Sequence, residues 1–201
     1  MLKINNNSLL VLSALILLAA GCREVAVPRP RGYFRIDLPQ HEYKMFNNSY
    51  NEEASLPFKF EYPVYGKISL NHDEFSEPGW FNIEFRSFKA KIYFTYKEVN
   101  NDLEELMEQT YTMNVKNHIT RADAISEQMI IDPGRKVYGI LYDLKGSTAT
   151  AVQFFVTDST RHFFRGSLYF MAEPNPDSLA PVNNFFREDI VHIMETLQWK
   201  N

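Results

Sequence analysis

Residues 152–171 read VQFFVTDSTRHFFRGSLYFM, the clearest structural signal in the chain. Apolar side chains alternate in both halves, as in strands with one buried face: Val152, Phe154 and Val156, then Phe164, Leu168 and Phe170. Residues 158–161, Asp-Ser-Thr-Arg, separate the halves, and Asp and Ser favour turns because their side chains bond nearby backbone groups. The stretch therefore predicts an antiparallel hairpin in a β-rich domain.

Further strand patterns lie on both sides of this hairpin along the sequence. Aromatic or aliphatic residues alternate with polar ones in residues 58–62, 81–85 and 90–97. Residues 125–131 are another strand candidate. Residues 137–144 are apolar on both faces, which predicts a central strand covered by a helix on at least one side.

Helical spacing follows the third of these strand segments. Asn100 or Asn101 is the predicted N-cap, and acidic residues in the first turn suit the helix dipole. The side chains predicted to face inward are Leu103, Leu106, Met107, Thr110 and Met113.

A second helix is predicted near the end of the chain. Ser178 is its predicted N-cap, and Pro181 is tolerated in a first turn. Asp189 is the one polar residue in its inward stripe, which comprises Val182, Phe185, Phe186, Asp189, Ile190, Ile193, Met194 and Leu197.

These elements together predict an α+β fold. We expect an antiparallel sheet of about seven strands packed with two main helices. By analogy of element order, this arrangement resembles the small fold of the PsbP and Mog1 proteins. Such an analogy concerns the fold and says little about activity.

The amino terminus has the pattern of an export signal. Residues 9–20 are apolar apart from Ser13 and too short to span a bilayer as a helix, which suits a signal peptide. Residues 18–22, Leu-Ala-Ala-Gly-Cys, resemble a bacterial lipoprotein box. This predicts removal of residues 1–21 by cleavage after Gly21, with lipid attached to Cys22. The alternative is an ordinary secretory signal that leaves Cys22 free.

A tether and a single domain are predicted to follow the signal peptide. Residues 22–32 contain two prolines, which favour an extended stalk, and three arginines that either lie against anionic lipid or are simply solvated. Residues 33–201 are the predicted α+β domain. No acidic run follows Cys22, so we expect a domain that faces the periplasm; the sequence favours neither the inner nor the outer membrane.

Composition excludes several classes of protein. A net charge of −4 and a pI near 5.8 argue against nucleic-acid binding, which needs a basic surface. A single cysteine among 201 residues excludes a disulfide framework and cysteine-based metal sites. The histidines have no metal-ligand spacing, so no metal or cofactor is predicted: His41, His72, His118, His162 and His192.

Three local patterns offer weaker functional hypotheses. Asp158, Ser159 and His162 are the residue types of a hydrolase, but the strand-to-helix elbow of the form GxSxG is missing, and turn chemistry is the preferred interpretation. Residues 72–77 form an acidic loop without calcium-loop spacing, which indicates a solvated turn. Aromatic strands with Trp80 at a rim could line a cleft for a small ligand or lipid, but core packing is the preferred interpretation. No catalytic residue is predicted.

Several stretches together resemble the gliding-motility lipoprotein family GldD of gliding Bacteroidetes. They are residues 30–39 (PRGYFRIDLP), 60–63 (FEYP), 122–125 (ADAI), 137–142 (VYGILY), 153–159 (QFFVTDS), 162–170 (HFFRGSLYF) and 175–181 (NPDSLAP). The resemblance implies a non-enzymatic envelope lipoprotein needed for gliding and for the associated type IX protein secretion. It also implies contacts with other gliding or secretion proteins of the envelope.

Overall fold

An antiparallel sheet forms the centre of the fold. The structure is a computed structural model and describes residues 35–46, 56–70, 77, 79–171 and 176–200. In chain order the strands are β1 (Tyr43–Met45), β2 (Phe58–Lys59), β3 (Glu61–Pro63), β4 (Lys67–Leu70), β5 (Trp80–Phe85), β6 (Ala90–Glu98), β7 (Ala122–Asp132), β8 (Val137–Gly146), β9 (Thr150–Thr157), β10 (His162–Phe170) and β11 (Gln198–Trp199).

Seven of the described strands pair in the order β4-β5-β6-β10-β9-β8-β7, every pair being antiparallel. The helices found within the described residues are α1 (Leu103–Tyr111), which continues into a π-helical turn over Thr112–Lys116, and α2 (Pro176–Thr196). A 3-10 turn covers Arg86–Phe88. The predicted α+β architecture is confirmed, and the described residues from Ile36 onward belong to one compact unit.

The predicted hairpin is formed by β9 and β10. Phe164 lies opposite Val156, and Gly166 lies opposite Phe154. The alternation places Phe154, Phe164 and Leu168 on the buried face, where each is completely shielded from solvent.

The main core lies between one face of the sheet and α2. Phenylalanine rings stack across neighbouring strands, with centroids 4.9 Å apart for Phe81 and Phe94 and 5.3 Å apart for Phe94 and Phe164. All eight residues of the predicted inward stripe are buried, and the apolar ones pack in this core, with Leu197 directly after the end of α2. Large buried rings of this kind contribute about 1.5–3 kcal/mol each before conformational entropy is subtracted.

The prediction of one strand over residues 58–62 is wrong. The chain breaks into β2 and β3, which pair with β11 and β1 outside the main sheet. The main sheet instead contains β4, which was not predicted because its four residues are too few to show a clear alternation. Residues 137–144 belong to β8, which is the second strand from one edge of the sheet and not a central strand as predicted. Side chains of β8 nevertheless pack in two hydrophobic clusters, one with α2 and one with α1.

The predicted beginnings of both helices are also corrected. Asp102, not Asn100 or Asn101, precedes α1, and its carboxylate accepts a hydrogen bond from the Asn100 N–H at 2.7 Å. α2 begins at Pro176, so Ser178 lies inside the helix.

The inward stripe of α1 is only partly as predicted. Leu106 and Thr110 are buried, but Met107 and Met113 are 41% and 43% exposed. The π-helical turn changes the direction of the last residues, so that Asn114 and Val115 face inward instead of Met113.

Candidate functional site

The turn that carries the hydrolase-like residues is held by Asp158. One of its carboxylate oxygens accepts hydrogen bonds from the backbone N–H groups of Thr160, Arg161 and His162, at 3.0, 2.8 and 2.8 Å. Burial opposes the charge on Asp158, but these hydrogen bonds outweigh it and lower its pKa to about 2. The predicted turn chemistry is therefore confirmed.

Ser159 and His162 are engaged in different contacts. Ser159 is exposed, has a left-handed backbone (φ +66°) and donates its N–H to the Thr157 hydroxyl at 2.9 Å. His162 is buried, with Nδ1 2.9 Å from the Tyr96 hydroxyl and its ring stacked on Trp199 at 5.0 Å. Each of these contacts stabilises the end of the hairpin.

A polar cluster is built around Asp189 where α2 meets β1 and Tyr65. Asp189 is completely buried and accepts hydrogen bonds from the Tyr65 hydroxyl at 2.7 and 2.8 Å, and from Tyr43 at 3.1 Å. Nδ1 of His41 lies 2.8 Å from the same carboxylate. Burial raises the pKa of Asp189, although the hydrogen bonds from Tyr65 and His41 act in the opposite direction.

Two of the five histidines, His41 and His192, which are far apart in the sequence, both belong to this cluster. His192 stacks on Tyr43 with ring centroids 3.6 Å apart, and its Nε2 lies 2.8 Å from the Glu61 carboxylate. His41 stacks on Phe185 at 4.3 Å. Because the buried polar groups have partners, the cluster fixes how α2 packs against the small strands.

Sequence reasoning missed this cluster except for one signal, the isolated Asp189 in an apolar stripe. Its partners come from residues 41–65, too distant in sequence to be recognised. Among the described residues, no three His, Cys, Asp or Glu side chains converge as metal ligands. The acidic residues 72–76 lie outside the described residues, and Glu77 lies 3.4 Å from the Lys97 ammonium group.

An open groove lies beside α1, on the sheet face opposite to α2. Its floor is apolar and consists of Ile140, Tyr142 and Phe155, and α1 contributes Leu103 and Met107 to its wall. We call it the α1 groove.

Carboxylates surround the α1 groove. Those among its lining residues are Asp102, Glu104, Glu105, Glu108 and Glu127, and no lysine or arginine is among the lining residues that the structure describes. Glu108 forms an ion pair with Lys116. Burial, followed by the charge of Glu127, raises the pKa of the Tyr142 hydroxyl at the floor to about 12. The groove thus combines an apolar floor with negative charge at its rim.

The aromatic residues considered for a ligand cleft lie mostly in the core. Phe60, Phe81, Phe94 and Phe164 pack against one another, which confirms core packing for these strands. Trp80 is half-buried in β5, opposite Thr95.

Comparison with known protein families assigns the chain to one of them. A family model described as gliding motility lipoprotein GldD matches residues 23–199, which is most of the chain. This protein belongs to the GldD family. Membership of a lipoprotein family implies a lipid-anchored location in the cell envelope. The chain matches no curated protein.

Solved structures similar to this GldD-family chain include one from a cyanobacterium. It is the solution structure of cyanobacterial PsbP (CyanoP) from Synechocystis sp. PCC 6803, with 10% sequence identity and a TM-score of 0.47. The similarity covers 85% of the present chain and 99% of the cyanobacterial one.

The predicted anchor of this family member, Cys22, and the predicted cleavage position at Gly21 lie outside the described residues. Within the described ranges, α1 and α2 are either too short or too polar to cross a bilayer.

Proposed function

We propose that this GldD-family chain is a membrane-anchored envelope component required for gliding motility and for the associated type IX protein secretion. It acts as an accessory or assembly component through protein contacts, without catalysis. The family match over residues 23–199 is the single observation that supports this role most strongly.

The anchor in this proposal is a lipid on Cys22. Signal peptidase removes residues 1–21 after Gly21, residues 22–32 act as a tether, and residues 33–201 form the working domain facing the periplasm. Several acyl chains hold a protein on a membrane firmly, whereas a single chain binds marginally. Metabolic labelling with an alkyne analogue of palmitate tests the site. Wild type and a Ser13→Ala leader variant should be labelled, and label retained by Cys22→Ser would contradict the assignment.

A non-enzymatic role is supported by what the described polar residues do. Asp158 and His162 of the hydrolase-like set are engaged in turn and packing contacts, Ser159 is exposed and, among the described residues, bonded only through its backbone N–H, and Asp189 is completely buried between α2 and the small strands. By contrast, the α1 groove presents an open, partly apolar surface, which suits contact with another protein.

Deletion of the gene tests the proposed role. Secreted proteins, surface adhesins and colony spreading are measured in the deletion strain and in the strain complemented with wild type. Loss of both secretion and spreading, restored by the wild-type gene, is the expected result. Normal secretion with lost spreading would restrict the role to force transmission at the motor. If neither changed, the proposal would fail.

A further inference from the structure

The strand next to the α1 groove, β7, carries only acidic charges, although Asp132 at its end is paired with the Arg135 guanidinium at 2.8 Å. β7 has 11 residues, which extend about 36 Å at about 3.3 Å per residue. Its charged residues are Asp123, Glu127 and Asp132, without any lysine or arginine. In the part of the chain that the structure describes, β7 pairs with β8 alone, so its other edge presents backbone donors and acceptors.

The two faces of β7 differ in what covers them. On the α2 side, the Arg187 guanidinium binds Gln128 at 2.8 Å and Asp143 of β8 at 2.7 Å. On the α1 side, Met129 and Ile131 are 72% and 66% exposed. Met129 lies opposite Ile140 of the groove floor, so the exposed apolar surface continues the floor to the sheet edge.

Charge selects the kind of partner that fits this surface. A second copy of β7 would bring its own Glu127 to a rim that already carries Glu127 and the carboxylates of α1, which is unfavourable. An anionic membrane surface would be repelled in the same way. An extended segment with lysine or arginine alternating with apolar residues would place opposite charges next to the rim and apolar groups on Met129 and Ile131.

We infer that the edge of β7 and the α1 groove together bind an extended, basic and apolar segment of another envelope protein, which adds to the sheet as a further strand. This inference rests on the proposed function and specifies the chemistry of the partner. Main-chain hydrogen bonds to β7 supply affinity, and side-chain alternation selects the segment.

Peptide binding to the purified full-length mature chain in detergent tests the charge requirement. The probe is a synthetic peptide of about ten residues, a usual strand length, in which lysine and valine alternate. A variant with Glu104→Gln, Glu105→Gln and Glu127→Gln should bind at least about tenfold more weakly than wild type. The matched control changes three exposed carboxylates elsewhere, as Glu42→Gln, Glu98→Gln and Glu195→Gln, and should bind as wild type does.

Two further comparisons test the apolar surface and the sign of the peptide's charge. Met129→Lys with Ile131→Lys should weaken binding, whereas Ile119→Lys with Met171→Lys, at similarly exposed positions, should not. A peptide alternating glutamate and valine should not bind. Equal binding of the lysine and glutamate peptides, or unchanged binding by the neutralised variant, would overturn the inference.

The cellular experiment incorporates p-benzoylphenylalanine at Met129 of the full chain in its own host, with Met171 as the control position. The expected product is an adduct with another envelope protein, mapped to a segment in which Lys and Arg outnumber Asp and Glu. An adduct with a second copy, with lipid or with an acidic segment would overturn the inference, as would adducts at Met171 alone.

The neutralised variant separates this inference from the proposed function. If the deletion strain loses spreading and the neutralised variant restores it fully, the binding surface is wrong and the proposed function stands. If deletion itself changes neither spreading nor secretion, the proposed function fails.

Discussion

Asp158 shows how one carboxylate can hold a hairpin turn. Its pKa of about 2 lies below the ordinary 3.8, so the folded state favours the ionised form. Stability from this group is therefore fully present above about pH 4 and is lost as the pH falls towards about 2. The pH dependence of unfolding should contain this contribution.

Replacement of Asp158 tests that contribution. Asp158→Asn should lower the free energy of unfolding at neutral pH by about 1–2 kcal/mol, since solvent screens part of the effect. Urea denaturation should show the difference from wild type shrinking as the solution is acidified. Asp123→Asn, at an exposed carboxylate of β7, is the control. A difference that does not change with pH would contradict the role of the ionised carboxylate.

Ser159 gives a second test at the same turn. Its backbone is left-handed, with φ +66°, a conformation in which glycine is not strained. Ser159→Gly should therefore raise the free energy of unfolding by about 0.5–1 kcal/mol. Gliding by a strain that carries this variant should remain normal. Loss of gliding with a normally folded protein would indicate a reaction that depends on the serine hydroxyl.

The turn at residues 158–161 could be predicted from the sequence alone, because the Asp158 carboxylate bonds backbone groups only two to four residues away. The contacts of His162 did not follow from the sequence, since Tyr96 and Trp199 approach it from β6 and β11. The same limit applies to Asp189: its isolation in an apolar stripe was visible, but Tyr65 and His41 lie over 120 residues away.

Among the elements, the β9–β10 hairpin depends on Gly166. Phenyl rings approach this glycine closely. A Cβ there would lie 2.4 Å from Cε1 of Phe154 and 3.1 Å from Cε1 of Phe94. The glycine therefore allows the stacked rings to lie directly on the strand.

Gly166→Ala should consequently destabilise the domain by about 2–3 kcal/mol through overpacking of the core. Gly134→Ala, in the turn after β7, is the control and should change the free energy of unfolding by less than about 0.5 kcal/mol. Denaturant midpoints measure both. A neutral Gly166→Ala variant would mean that the Phe154 ring moves aside without cost.

Element types were more predictable than their pairing. The buried stripe of α2 could be predicted because eight positions repeat at helical spacing. Alternation of Phe58, Phe60 and Tyr62 identified extended backbone correctly, but could not reveal that β2 and β3 pair with different strands. The reversal of direction in the π-helical turn after α1 likewise has no signature in apolar spacing.

For the whole molecule, the α+β architecture and the GldD family followed from the sequence, and both are confirmed. The α1 groove did not, because its floor comes from β8 and β9 and its wall from α1. The proposal joins these parts: a lipid at Cys22 holds the domain at a membrane, and its exposed surfaces contact other envelope proteins.

Complementation of the deletion strain with Cys22→Ser tests this account most directly, with colony spreading and membrane fractionation measured together. We expect the variant to leave the membrane fraction and to fail to restore spreading, while the wild-type gene restores it. A Cys22→Ser protein that stays with the membrane and restores spreading as well as wild type does would contradict the requirement for a lipid anchor.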